Sequence, residues 1–171
     1  MITALFRDTR GVASVEFAIV AVFMMTSILN AADVGGYVYQ AMEVENAAQM
    51  AVQTALQNCT VAQVPVTTVC PGFAGKITSA ITSTSLGSGI TLHGGSPTEA
   101  YYCVNGSNTL VHVGALGSKP ANCAAVGNAA TMPGDYVVVT VTYTYVPIMA
   151  GASVVAFLQT PIVRRAMMRV A

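Results

Sequence analysis

Charge is what this sequence has least of. Only 8% of its 171 residues are Asp, Glu, Lys or Arg, seven acids balance seven bases, and tryptophan is absent. Ordinary soluble domains carry about a quarter charged residues, and nucleic-acid binders gather Lys and Arg on one face. Seven scattered cations build no such face, so nucleic acid is excluded as a partner. No two of the four cysteines have the C-x₂₋₄-C spacing of zinc sites, and His93 and His112 stand alone. No metal or other cofactor is therefore expected. The G-x-S-x-G nucleophile elbow is missing, as is a glycine-rich phosphate loop leading into a helix. Scattered Ser, His and Asp residues make no triad, and no enzyme is expected.

What the chain has in quantity is apolar surface, at 54% of residues. From Gly11 to Ala32 the only ionisable side chain is Glu16. Val12–Ala32 has the length of the roughly 20 residues that cross a bilayer core. Arg7 and Arg10 precede it, so the positive-inside rule keeps the N-terminus cytoplasmic and sends the remainder across. A cleavable secretory signal is the competing reading. Its apolar core is about 7–15 residues long and ends at a small-residue site. This run is longer, and Asn30-Ala31-Ala32 matches such a site poorly. A single transmembrane helix is expected at residues 12–32, with the rest of the chain exported.

Cys59, Cys70, Cys103 and Cys123 all follow the apolar run. An even number in an oxidising compartment points to disulfides. Of the three pairings available, loop-closure entropy favours the local one, Cys59–Cys70 with Cys103–Cys123.

Beyond the span, Val34, Tyr37/Val38, Ala41, Val44, Ala48, Ala51/Val52 and Ala55 keep helical spacing with polar residues between them. This predicts an amphipathic continuation over residues 33–57, with Gly35-Gly36 as its weak point. Were residues 12–57 one helix, it would be on the order of 70 Å long. Residues 58–171 read as an exported α+β domain. A loop spans Cys59–Gly72, and Phe73, Ile77, Ala80/Ile81 and Thr84 mark a short helix. Strands are expected at Ile90–His93, Ala100–Val104 and Thr109–Val113, the last two joined at Asn105-Gly106. The clearest strand is 136–146, where Val137, Val139, Val141, Tyr143 and Tyr145 share one face. It is uncharged enough to suggest a second membrane helix, but its alternation, its β-branched run and Pro147 argue for a strand. A short helix and a last strand carrying Arg164, Arg165 and Arg169 should follow. The fold class is α+β: a long N-terminal helix, half membrane and half amphipathic, leading into a small antiparallel sheet with disulfides.

The lone acid in the apolar run raises the functional question. A charge inside a bilayer costs about 2.5–3.5 kcal/mol on the insertion scale, so such residues usually have a partner. The stretch Arg10-Gly11-Val12-Ala13-Ser14-Val15-Glu16-Phe17-Ala18-Ile19-Val20 has a basic leader, a glycine, four small or apolar residues, then Glu-Phe and a long apolar run. It resembles the opening of TadE-like proteins, minor pilins or pseudopilins of the tight-adherence (Flp, type IVc) pilus system. The likeness continues through Asn30–Leu56 and returns faintly in the Val/Thr strand and the arginine-bearing C-terminal segment. The region at about 58–135 matches nothing comparable, and Gly35-Gly36 departs from the family's usual single small residue beside an aromatic or Arg.

The resemblance implies a leader of residues 1–11 removed between Gly11 and Val12 by a membrane prepilin peptidase. It also implies Glu16, followed by Phe17, as the assembly site. The glutamate would pair with a freshly made α-amino group, its own or a neighbour's, and favour lateral contact in register. The implied partners are the prepilin peptidase, other pilin or pseudopilin subunits and an inner-membrane assembly platform, in a bacterial inner membrane or a surface pilus. Two alternatives remain at this point: a single-pass, membrane-anchored periplasmic binding or accessory protein that is neither cleaved nor polymerised, and an exported hydrolase, for which the sequence offers no site. Sequons at Asn58-Cys59-Thr60 and Asn105-Gly106-Ser107 read as chance matches, and the methionines of the helix as packing residues.

Overall fold

The computed structural model describes residues 10–171, and the side chains from Ala13 onward apart from Val61. The leader expected at residues 1–11 lies outside the described residues, save for the backbone of Arg10 and Gly11 at the start of the first helix. That helix, α1, runs Arg10–Asn58 without interruption through 49 residues. At 1.5 Å per residue it is roughly 70 Å long. Gly35 and Gly36 do not break it, although each glycine costs about 1 kcal/mol relative to Ala in a helix interior. The chain divides into two compact units: one holds the chain up to Tyr39 together with Val146–Gln159, the other Gln40–Tyr145 with Thr160–Ala171.

The second of these units is the α+β domain. Within it, the Gln40–Asn58 part of α1 buries Val44, Ala47, Ala48, Ala51, Val52 and Ala55. These positions recur at i, i+3, i+4, i+7 and i+8, one face of a 3.6-residue period. Glu45 on the flank reaches Arg164 at 3.7 Å, and both are partly exposed, so the pair contributes little. The region expected as loop from Cys59 to Gly72 is more ordered than its prolines suggested. It contains a 3₁₀ turn at Val61–Gln63 and a single-turn helix, α2, at Val66–Val69. Helix α3, Phe73–Thr82, buries Phe73, Ile77 and Ile81, the stripe its spacing predicted.

Five antiparallel strands follow: β1 (Ile90–Leu92), β2 (Thr98–Val104), β3 (Leu110–Ala115), β4 (Gly134–Tyr143) and β5 (Ile162–Arg169). Strand β4 is the spine. β5 pairs along one of its edges from Tyr136↔Arg169 to Tyr143↔Ile162. The other edge is shared, with β1 beside residues 141–143 and β2 beside 134–138. β3 completes the sheet beyond β2, with a register shift between Tyr101 and Tyr102. Val137, Val139 and Val141 are fully buried, as their alternation required, and Val138 on the other face is nearly so. A half-buried strand reads as alternating, whereas one covered on both faces reads as a continuous apolar run.

The hairpin between β2 and β3 forms where Asn105-Gly106 predicted it, by a different turn. A two-residue I′ turn needs positive φ at both central residues. Here the positive φ, 58°, falls on Asn108. The Asn105 side chain accepts from the backbone N–H groups of Ser107 and Thr109 at 3.0 and 2.9 Å. Its carboxamide thus adds to the turn's backbone bonds, in which Asn108 N–H donates to Asn105 O and Asn105 N–H to Thr109 O, each at 3.0 Å.

Two disulfides staple this unit. Cys59–Cys70 closes the ordered loop after α1, and Cys103–Cys123 ties β2 to the long connection before β4.

Candidate functional site

The residues singled out for function lie on the first half of α1. Between Ala13 and Leu29 every side chain except Ala21 is exposed, including Phe17 at 74% and Phe23 at 70%. This stretch is apolar on all sides and long enough to cross a membrane. A helix apolar all round belongs in a core or a bilayer, and here none of its most apolar part is buried within the protein. Its hydroxyl and amide groups are tied back to the helix: Thr26 and Ser27 donate to carbonyls one turn earlier at 2.8 Å, and Asn30 to Thr26 at 3.0 Å. The polarity of these three side chains is thereby satisfied without water, as a bilayer demands.

Glu16 and Phe17 sit side by side on this exposed surface. Gly11 and Val12 are helical in backbone one turn earlier, with side chains outside the described residues. A carboxylate at position 16 and the Gly11–Val12 peptide are therefore on neighbouring turns of one helix.

The second acid of α1, Asp33, was assigned no role by its sequence context. It is fully buried. The segment Val146–Gln159 folds over it, so that Ile148 N–H donates to Asp33 Oδ1 at 3.1 Å and the Ser153 hydroxyl donates to Asp33 Oδ2. On the same helix face, Asn30 Oδ1 accepts from Val154 N–H at 2.8 Å, and the Tyr37 hydroxyl donates to Gln159 O at 2.9 Å. Asn30, Asp33 and Tyr37 stand at i, i+3 and i+7, the spacing of one face. Ser153 also caps a 3₁₀ turn at Val154–Phe157, accepting from Val155 N–H at 3.1 Å. A buried carboxylate is tolerated only when hydrogen-bonded, and this loop supplies the donors. The signal available in sequence was Asp33 itself, an acid at helical spacing from the apolar stripe. Its partners lie more than a hundred residues away and share no motif with it.

Three acidic or phenolic groups cluster in the other unit. Glu99 is buried and holds the start of α2, accepting from Val66 N–H at 3.0 Å and from the N–H and hydroxyl of Thr67 at 2.8 and 2.7 Å. Burial, and then the neighbouring Glu99 charge, push the Asp135 carboxyl up to about 6, against the opposing pull of Lys119. Burial and the same two acids raise the Tyr101 phenol, over whose ring Lys119 lies at 5.4 Å. This cluster sits inside the sheet domain, with Glu99 and Asp135 both buried. His112 lies on β3 in an edge-on contact with Tyr102 at 5.5 Å, and His93 is exposed after β1. Among the described residues no three His, Cys, Asp or Glu are grouped to hold a metal ion.

Residues 11–53 match the family described as TadE-like protein. The matched segment begins at the glycine of the leader pattern and ends within the buried half of α1, so this part of the chain is TadE-like. No curated protein and no solved structure matches the chain. The TadE-like segment supports a protein related to the tight-adherence pilus. The apolar helix fits a single-pass membrane anchor.

Proposed function

We propose that this chain is a minor pilin-like (pseudopilin) subunit of a bacterial tight-adherence pilus or a related secretion apparatus. Prepilin peptidase cuts it between Gly11 and Val12, and it assembles through its N-terminal helix. The observation that carries this reading is a coincidence on one element. The TadE-like match over residues 11–53 falls on a helix whose first half is exposed and apolar with one acid, Glu16, five residues beyond Gly11.

Cleavage after Gly11 creates an α-amino cation at Val12, one helical turn from Glu16. In a medium of low dielectric the two charges favour pairing, within a subunit or between neighbours, and a subunit out of register leaves both unpaired. Before assembly the same helix anchors the subunit in the inner membrane, N-terminus inside and sheet domain in the periplasm. Afterwards its apolar surface packs against neighbouring pilin helices. The partners are the peptidase, the other subunits and the assembly platform.

Glu16→Gln tests the assembly role in a strain that makes the pili. It keeps the side chain's size and removes its charge. Membrane insertion and processing should persist, and the mature chain should accumulate in the inner membrane and be lost from sheared surface fractions. Wild-type amounts of the variant in purified pili would leave the anchored accessory protein as the better reading.

A further inference from the structure

The segment Val146–Gln159 shields Asp33 with its polar inner side and turns a different surface outward. Val146 is 76% exposed, Ile148 66% and Phe157 91%, with Val154 and Leu158 beside them, while Val155 is buried. From Tyr136 to Val163 the sequence holds no charged residue and no histidine. So dense an exposed apolar group is unusual on a surface bathed in water.

Its place on the helix identifies what covers it. Residues 12–32 span about 30 Å, the thickness of a hydrocarbon core. The loop is fastened to Asn30, Asp33 and Tyr37, which straddle the outer end of that span. Tyr37 and Tyr39 stand where interfacial aromatic residues collect. The apolar surface of the helix runs through Ile28 and Leu29 and is continued sideways by the loop at the same depth. Irregular backbone does not enter the hydrocarbon core exposed to lipid, but an apolar face resting at the headgroup and acyl boundary meets no such bar.

We infer that Val146–Gln159 is a membrane-resting loop: Phe157, with Val146 and Ile148, inserts into the outer leaflet beside the span. The loop and the helix then form a two-part anchor. Asp33 is the pin that holds the parts together and is itself kept from lipid by the Ile148 amide and the Ser153 hydroxyl. The inference rests on reading α1 as a membrane span.

The absence of tryptophan makes the test direct. The full chain carrying Phe157→Trp is reconstituted into phosphatidylcholine vesicles, with and without lipids brominated near the glycerol end of the acyl chains. Phe17→Trp serves as the marker within the span, and Met132→Trp, on an exposed loop of the sheet domain, as the aqueous marker. Emission from position 157 should shift to the blue, fall about twofold or more with brominated lipid, and resist iodide relative to position 132, as expected of an interfacial aromatic residue. Ile148→Trp should behave alike, which guards against an effect of one substitution. Iodide-accessible emission at 157 with lipid quenching intact at 17 overturns the loop and leaves the span standing. Protection from iodide without lipid quenching assigns the surface to a protein neighbour and also overturns it. Loss of lipid quenching at 17 removes the span and the loop together.

Discussion

One continuous helix carries two apolar surfaces that end in opposite environments. From Ala13 to Leu29 α1 exposes Phe17, Phe23, Met25 and Ile28. From Val44 to Ala55 it hides a stripe of alanines and valines at 0–2% exposure. Apolar content does not separate the two halves. The arrangement does: the first is apolar around its whole circumference, the second along one face with Glu43, Glu45, Gln49 and Gln53 on the others. A stripe can be satisfied by one sheet, whereas a full circumference calls for an apolar surround. The small side chains of the stripe also let other elements approach the helix closely, which bulky Phe and Met would prevent.

The largest expected effect comes from placing the same charge in each half. Val44→Asp buries an unpaired carboxylate and should destabilise the sheet domain by roughly 3–5 kcal/mol, read as a lower thermal midpoint of the full chain in detergent. Met25→Asp should leave that midpoint unchanged and instead reduce recovery in the membrane fraction, since it adds about 2.5–3.5 kcal/mol to insertion. Equal destabilisation by both would dissolve the distinction between the halves.

Removing Cys103–Cys123 by a double change to serine should cost about 2–4 kcal/mol in urea unfolding. The effect should be confined to the sheet domain, with membrane recovery unaltered. Asp33→Ala comes next. It strips the acceptor from Ile148 N–H and Ser153 and should release the 146–159 segment to limited proteolysis at a local cost of about 1–3 kcal/mol. Asp33→Asn retains one acceptor and should be cut more slowly than the alanine variant.

The smallest effect is the dependence of the sheet domain on pH. The Asp135 carboxyl is raised from 3.8 to about 6 by burial and Glu99, so the folded state holds its proton more tightly than the unfolded one. Stability should therefore decline as pH rises from about 4 to 6 and stay low above that, by roughly 1–3 kcal/mol at most. Thermal midpoints taken at intervals across this range should show the decline, and Asp135→Asn should flatten it and raise the midpoint at pH 7. A decline undiminished in that variant would assign the pH response to other groups.

Regular periodicities were legible in the sequence. Val137, Val139 and Val141 announced β4, and Phe73, Ile77 and Ile81 announced α3, because a single repeat governs burial along each. The long helix was legible too, since the stripe from Val34 to Ala55 keeps helical spacing, but whether Gly35-Gly36 interrupts it was not, and the helix runs through them. What sequence reading missed depends on distant partners. Asp33 is explained by the distant Ile148 and Ser153, and Glu99 by Val66 and Thr67, which turn part of an expected loop into α2. The turn after Asn105 was placed correctly but its geometry was not, since the loop is longer than two residues and its positive φ falls on Asn108. At the candidate site, the motif around Gly11 and Glu16 could be read directly, whereas the Val146–Gln159 clasp has no local signature.

The central claim, that α1 is the processed helix of a pilin-like subunit, is tested most directly by intact mass and N-terminal sequencing of the chain from a strain expressing prepilin peptidase. The account predicts a mature protein beginning at Val12, with Gly11→Ala left at full length because a methyl group crowds a site shaped for glycine. A wild-type chain that retains Met1, or that begins near Asp33, would contradict it.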